Sequence, residues 1–396
     1  VTPQGFVYMI GASNSNVGEA PRWARDLQME LGDRGFERGS TLDVVDGFFL
    51  AERKAWPEDI DQWHHHTRDP DGNPVSQDKR VGPPEHYQWQ AGPTWFRSHD
   101  TDATVAAVVT ANGRLFHIAD KAPASVCGNH PLPDKWTLIA RDGFSGVLLW
   151  EVPLKRWGWR EWKDTWFSFR PGNFPLGLDK RLVAIGDRVY FTLGYHAPVS
   201  QLDAKTGEVL QTYEATEDAR EILYLNGNLI VTVDTGPKLK VMKLDAESGE
   251  VLWESENTYD GIYGDYIRYS NSRGSITPPD LDPVLNPATD GQIIGILSGM
   301  DVVCLDAETG KEQWRTEAQS EKKTLWVGTM IVYDNVLLHA SAQELLAFDG
   351  KTGEILWERP KKWIQHLWFE WKDVFVIDDL VWTWSAEFES GEYKMG

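Results

Sequence analysis

Across 396 residues the chain is 41% hydrophobic and 12% aromatic, ample for one large core, and its length does not force a second domain. A formal net charge of −21 excludes nucleic acid and anionic lipid as expected partners. No run of 18 apolar residues occurs, so no transmembrane helix is predicted.

From the N-terminus, QGFVYMIGA (4–12) and DGFFLAERK (46–54) are β-rich runs that each follow a turn residue. Between them, residues 13–45 are polar and faintly helical (RWARDLQMELGDRGF). The opening VTPQGFVYMIG lacks the basic start and continuous apolar stretch of a secretory leader, and SAEFESGEYKMG stops where another turn phrase is expected, so the ends read as those of a segment of a longer chain or of a mature fragment whose missing strands come from elsewhere. Residues 55–100 follow as a long loop rich in His, Pro and Trp. Six stronger β-rich runs come next: NGRLFHIAD (112–120), GDRVYFTLG (186–194), NGNLIVTVD (226–234), GQIIGILSG (291–299), DNVLLHASA (334–342) and DDLVWTWSA (378–386). A second irregular stretch, 154–180, is rich in Trp, Phe and Arg; a polar one with several Tyr spans 257–285.

Interleaved with these runs is a phrase that occurs five times: Asp, two residues, Ser or Thr, then Gly. The copies are Asp142–Trp150, Asp203–Tyr213, Asp245–Trp253, Asp306–Trp314 and Asp349–Trp357, with glycines at 146, 207, 249, 310 and 353. Apolar runs flank each copy, which predicts strand, tight turn, strand. The Asp accepts from backbone N–H groups two or three residues on, the Gly takes positive φ, and the Trp ends the returning strand as a flat packing surface. One small sheet per copy, with eight β-rich runs in all, predicts an all-β fold: a β-propeller of four-stranded blades, eight by this count and seven as the alternative, in a single domain over 1–396 with inserted loops at 55–100 and 154–180.

The phrase L-D-A-x-T-G-x-x-x-W resembles the pyrroloquinoline quinone (PQQ)-like propeller repeat, whose families include quinoprotein alcohol dehydrogenases and the BamB-type outer-membrane assembly scaffold. The resemblance covers 138–396 well and implies a periplasmic or extracellular protein. In quinone-binding members it implies an adjacent Cys–Cys pair; this chain has only Cys127 and Cys304, far apart in sequence, and no C-x-x-C-H haem motif, so PQQ is not expected. A narrower block, WHHH, NPVSQD, VGPP, QWQAGPTW and SHD within 63–100, followed by ARDGFSGVLLW, resembles secreted bacterial PQQ-like repeat proteins of unsettled function.

Function in repeat folds concentrates in insertions, because the repeats themselves hold position. Three readings compete for the histidines of 55–100. A transition-metal site such as Zn²⁺ would use His65 or His66 with His99 and a carboxylate. Proton transfer would use His65, His66 or His99, with Tyr195 and His196 at a strand end. The third reading has the imidazoles fixing the loop through its carbonyls. Asp69, Asp71 and Asn73, with Asp78, resemble the front of a calcium loop, although Arg80 stands where a twelfth-position Glu is expected; D-P-D-G-N is equally a turn with no ion. Trp63, Trp89 and Trp95 could stack on sugar rings while Arg68, Arg97 or Arg141 hold a carboxylate.

Three functions follow. The first is a protein acting on or binding carbohydrate, of the polysaccharide-lyase type. The second is a non-catalytic scaffold for a protein partner, and the third a quinoprotein oxidoreductase. Histidines that converge at the channel mouth would favour the first; histidines that scatter onto backbone groups would favour the second.

Overall fold

The protein was analysed as a computed structural model, which describes residues 10–11, 42–45, 48–51, 59–80, 82, 87–91, 105–122, 135–158, 161–162, 177–262, 283–299, 301–316, 328–341, 344–360, 374–383, 386–389 and 392–395. Five four-stranded antiparallel sheets follow one another, each built from strands consecutive in the chain. Their first strands are Val105–Ala111, Leu182–Ile185, Ala219–Leu225, Ala288–Thr289 and Thr329–Tyr333. A two-stranded sheet, Val374–Ile377 with Leu380–Thr383, continues the series. Nearer the chain ends lie a three-stranded sheet (Ile10–Gly11, Leu42–Val45, Phe48–Ala51) and a two-stranded one (Ala386–Glu389, Glu392–Met395). Leu42–Val45 is thus a strand at the edge of a stretch the sequence reads as insertion.

The fold is a β-propeller of PQQ-like repeats. The β-rich runs of the sequence are second strands, and the turn phrase joins the third strand to the fourth. Second strands of the five four-stranded sheets are largely buried on both faces, as in Ile293–Ser298, and read as continuous apolar runs, whereas Leu380–Thr383 of the sixth sheet is mostly exposed. Fourth strands such as Val251–Glu254 and Glu312–Arg315 alternate in exposure, because they form the rim. Each apolar cluster straddles two successive sheets. Val109, Phe116 and Leu138 of the first pack with Leu182, Val189 and Phe191 of the second, and Ile331, Leu338 and Ala347 of the fifth pack with Val374 and Val376 of the sixth. Burial of each such Leu, Ile or Phe contributes roughly 1.5–3 kcal/mol.

The turn phrase works as its chemistry predicts. In Asp306–Trp314 the Asp306 carboxylate accepts from the Glu308 and Thr309 N–H groups and the Thr309 hydroxyl, while Gly310 N–H donates to the Asp306 carbonyl. Gly310 has a φ of 71°, and the Trp253 indole of the preceding blade lies where a Cβ would be. The same indole donates to the Ala307 carbonyl at 3.3 Å. Trp150 and Trp314 repeat this on Ala204 (3.0 Å) and Gly350 (2.8 Å), and the Tyr213 hydroxyl substitutes on Ala246. Trp150, Trp253 and Trp314 thus each stack on the next blade's turn glycine and tie to that turn with one hydrogen bond, whereas at Gly249 the Gln211 amide lies closest and Tyr213 supplies the bond.

The first and third hairpin turns of a blade lie on one face of the ring. The link is a backbone bond from the residue after each turn Asp to the first turn: Gly143 to Gly113, Ala204 to Asp187, Ala246 to Gly227, Ala307 to Gln292 and Gly350 to Asn335, at 2.7–3.0 Å. Exposed Glu208, Glu250, Glu308, Glu354, Asp334, Asp378 and Asp379 stand in these turns, so this face carries much of the acidity.

Candidate functional site

The irregular stretch 59–80 runs across the axis on the hairpin face and touches the first strand of six successive sheets. Trp63 and Thr110 bond reciprocally: Thr110 N–H donates to the Trp63 carbonyl at 2.6 Å and Trp63 N–H to the Thr110 hydroxyl at 2.8 Å. Ala184 N–H donates to the His64 carbonyl (3.1 Å), and Tyr224 N–H to His65 Nε2 (3.0 Å). Thr289 N–H donates to the Pro70 carbonyl (2.8 Å), and Val332 N–H to the Asp71 carbonyl (2.9 Å). Val376 N–H donates to Asn73 Oδ1 (3.1 Å), and Asn73 Nδ2 donates to the Val376 carbonyl (3.0 Å).

The six acceptor-seeking residues, Thr110, Ala184, Tyr224, Thr289, Val332 and Val376, are equivalent. Five of them sit one residue before the last position paired with the second strand, and Thr289, in the two-residue strand, is itself the last. An inner strand has no sheet partner on its axial side, so its N–H groups need another acceptor once buried. The segment 63–73 supplies one per sheet. Gly72, with a φ of 80°, makes this approach possible: any Cβ there would collide with the Met330 carbonyl.

The candidate histidines separate. His65 is 3% exposed, and burial, with His64 beside it, lowers its pKa to about 4. Because Nε2 accepts a backbone N–H, the neutral ring carries its proton on Nδ1, which has no partner among the described residues. His66 Nε2 lies 3.1 Å from Asp179; burial lowers its pKa, opposed by that carboxylate. His196 pairs through Nδ1 with Asp218 on another blade connection. Tyr195 is fully buried between two guanidiniums, Arg181 at 4.3 Å and Arg220 at 5.5 Å from the ring centre. His99, Trp95 and Arg97 lie outside the described residues.

The remaining candidates serve the frame. The Arg68 guanidinium bridges Asp61 (2.6 Å) and Asp69. The Trp63 indole donates to the His66 carbonyl at 2.9 Å. Trp89 donates to the Gly143 carbonyl at 2.9 Å and lies over Gly146, the place held by the repeat tryptophans in later blades. Arg141 donates to the Gly146 carbonyl of its own turn at 2.9 Å. Trp157 and Trp162 of the 154–180 stretch are buried with Trp136. Asp78 accepts from Asp61 and Arg80 N–H groups, and one Asp71 oxygen accepts from Asn73 N–H. Among the described residues no three His, Cys, Asp or Glu groups come together as a metal site. Cys304 is a buried free thiol bonded to the Gly350 carbonyl, and burial pushes its pKa up to about 12.

Under the arch between His65 and Asp71 lies a cavity of about 440 Å³, in the range of small-ligand sites. Its walls include His65, Asp69 and Asp71 of the segment, Tyr224 of the third sheet, and the turn residues Asp290 and Asp334. Burial raises the Asp71 carboxyl to about 6, with the Asp69 charge adding to it. Sequence reasoning passes over Asp290, Asp334 and Tyr224. Both aspartates stand in Asp-Gly or Asp-Asn turns, where Asp is the ordinary turn residue.

A family model described as outer membrane protein assembly factor BamB matches residues 134–277 and 274–365. No curated protein matches the chain. Among solved structures the chain is similar to a europium-containing methanol dehydrogenase (12% identity over 76% of this chain and 58% of that one, TM-score 0.47). It is also similar to BamB from Moraxella catarrhalis (15% identity, 71% and 79%, TM-score 0.41). A third is the quinohemoprotein alcohol dehydrogenase from Comamonas testosteroni (14%, 76% and 49%, TM-score 0.45). The chain thus spans about half the length of the two dehydrogenases.

Proposed function

The chain belongs to the outer membrane protein assembly factor BamB family of PQQ-like repeat propellers, and from that membership we propose that it is a non-catalytic scaffold that engages a protein partner through the acidic hairpin face, in the periplasm or outside the cell. One observation carries the reading. The loop richest in reactive side chains is taken up in bonding six inner strands, and the candidate acids and bases stand apart on different elements. The exposed acidic turns suit a partner with a basic surface, attracted at long range and weakened by salt.

The test is binding to a partner purified after crosslinking in cells. Charge reversal at Glu208, Glu250 and Glu308 should weaken the reconstituted complex at least tenfold and flatten its salt dependence. A Kd unmoved by the three reversals would overturn the reading.

A second reading, action on carbohydrate, is favoured by Asp71. A carboxyl titrating near pH 6 beside a cavity can act as general acid or base. New ultraviolet absorbance from unsaturated products on a polysaccharide panel, lost in Asp71→Asn, would support it over the scaffold.

A further inference from the structure

The face of the sixth sheet that points away from the fifth is patterned as a blade interface and stands open. Val374, Val376 and Val381 pack against the fifth sheet. Side chains alternate along a strand, so Phe375, Ile377, Leu380 and Trp382 share the opposite face, with Phe375 across from Trp382 and Ile377 across from Leu380. Trp382 is the third residue after its first hairpin turn. The same position holds Phe116, Tyr190, Ile230 and Leu338 in four earlier sheets, where the following sheet covers them to 0–3% exposure. Trp382 is instead 54% exposed, Leu380 59% and Ile377 42%. Isolated apolar residues on a surface are ordinary, whereas several large ones on one sheet face mark a docking surface. We propose that this face docks a protein segment whose large apolar side chains are flanked by Lys or Arg. The inference rests on the scaffold reading and gives its partner a defined point of contact.

Charge selects that occupant. Asp378 and Asp379 stand exposed at the turn between the two strands, and exposed Asp334 stands in the matching turn of the fifth sheet. The Tyr333 hydroxyl donates to the Asp379 carboxylate at 2.7 Å, which joins the two turns. An acidic rim beside an apolar centre is complemented by a basic rim on the partner. A second copy of this chain would bring the same aspartates and a further charge of −21. The chain's remaining β elements fit no better. Ala386–Glu389 with Glu392–Met395 carries Glu387, Glu389 and Glu392 against Lys394, and Leu42–Val45 with Phe48–Ala51 carries Asp43 and no Lys or Arg. The exposed indole adds a surface on which a Lys or Arg can lie beside the apolar contact.

Fluorine NMR of the full chain labelled with 5-fluorotryptophan reads this face directly, with the Trp382 resonance assigned as the one missing from Trp382→Phe. The probe is an alternating Lys–Phe heptapeptide; two controls carry Ser in place of Phe, or Glu in place of Lys. The Lys–Phe peptide should move the Trp382 resonance with a Kd of about 1 mM or tighter, and each control should bind at least tenfold more weakly. Leu380→Thr and Asp378→Asn should each weaken binding about fivefold at an unchanged melting temperature, since both residues are exposed and Asn tolerates the φ of 50° at the turn. A Trp382 resonance with no solvent isotope shift in D2O gives the face to the chain itself, and one that moves with protein concentration gives it to a second copy; either overturns the proposal. So does a Trp382 resonance unmoved by the Lys–Phe peptide at about 10 mM, or equal binding of either control. If the face fails these tests while the crosslinked partner still responds to reversal of Glu208, Glu250 and Glu308, the scaffold reading stands without it.

Discussion

Truncating Asn73 to Ala removes the last tie between the axial segment and the ring. Its amide imitates a neighbouring strand, giving Val376 one acceptor at 3.1 Å and one donor at 3.0 Å. Asn73 and Val376 are both 5% exposed, so water does not readily replace either bond. Leaving a buried N–H and C=O unsatisfied costs about 1–3 kcal/mol each, so Asn73→Ala should destabilise by roughly 2–5 kcal/mol. The assay is urea unfolding followed by tryptophan fluorescence, with the change read from the midpoint at constant slope, alongside hydrogen exchange at the Val376 amide. Exchange at Val376 should accelerate, while Thr110 at the far end of the segment keeps its protection. A change under about 0.5 kcal/mol with Val376 still protected would refute the assignment of the segment as a structural tie.

Acid sensitivity should follow from two neutral histidines. Burial lowers His65 and His117 to about 4, the latter with help from Arg141, so both contribute stability that is complete above pH 6.5 and is lost as pH falls toward 4. Asp71 opposes them: its carboxyl, raised to about 6, favours the fold at low pH and disfavours it above 6. Asp71→Asn should therefore raise stability at pH 7 by about 1–3 kcal/mol and steepen the acid decline; unfolding midpoints from pH 4 to 8 would contradict this if the variant were weaker at pH 7. Gly310→Ala should cost about 2–4 kcal/mol, combining positive φ with collision against Trp253, and Trp253→Ala should relieve part of it in a double-mutant cycle; strict additivity would count against the stacked arrangement. Glu221, fully buried, accepts from Leu285 N–H, Asn286 N–H and the Thr232 hydroxyl and links the third and fourth sheets. Glu221→Ala should destabilise by about 3–5 kcal/mol, and a calorimetric melt within 1 °C of wild type would contradict it.

The turn phrase is legible in the sequence because its chemistry is local. Asp306 bonds residues two and three places on, and Gly310 closes the same turn, so residue order alone dictates the geometry. Second strands are legible for the same reason, through their turn residues and continuous apolar runs. The inner strands are less so. Ala288–Thr289 is two residues long, and LVAI at 182–185 lacks a period that sets it apart from the connection before it. The role of 63–73 is not legible at all, since most of its bonds run through carbonyls that every residue owns, to partners as far as 303 positions away. Histidine-rich composition pointed to chemistry in that loop, while Trp89 stands outside any copy of the phrase and still takes a repeat tryptophan's place.

The segment at the hub has a consequence for how such a ring can change. It precedes the six sheets it bonds and offers them acceptors in a fixed order, one to each. It therefore acts as a gauge for this run of six: a module inserted into or deleted from it would leave either a sheet with no acceptor or an acceptor with no sheet. These six modules can diverge freely in sequence, but their order around the hub is held by eleven residues that belong to none of them.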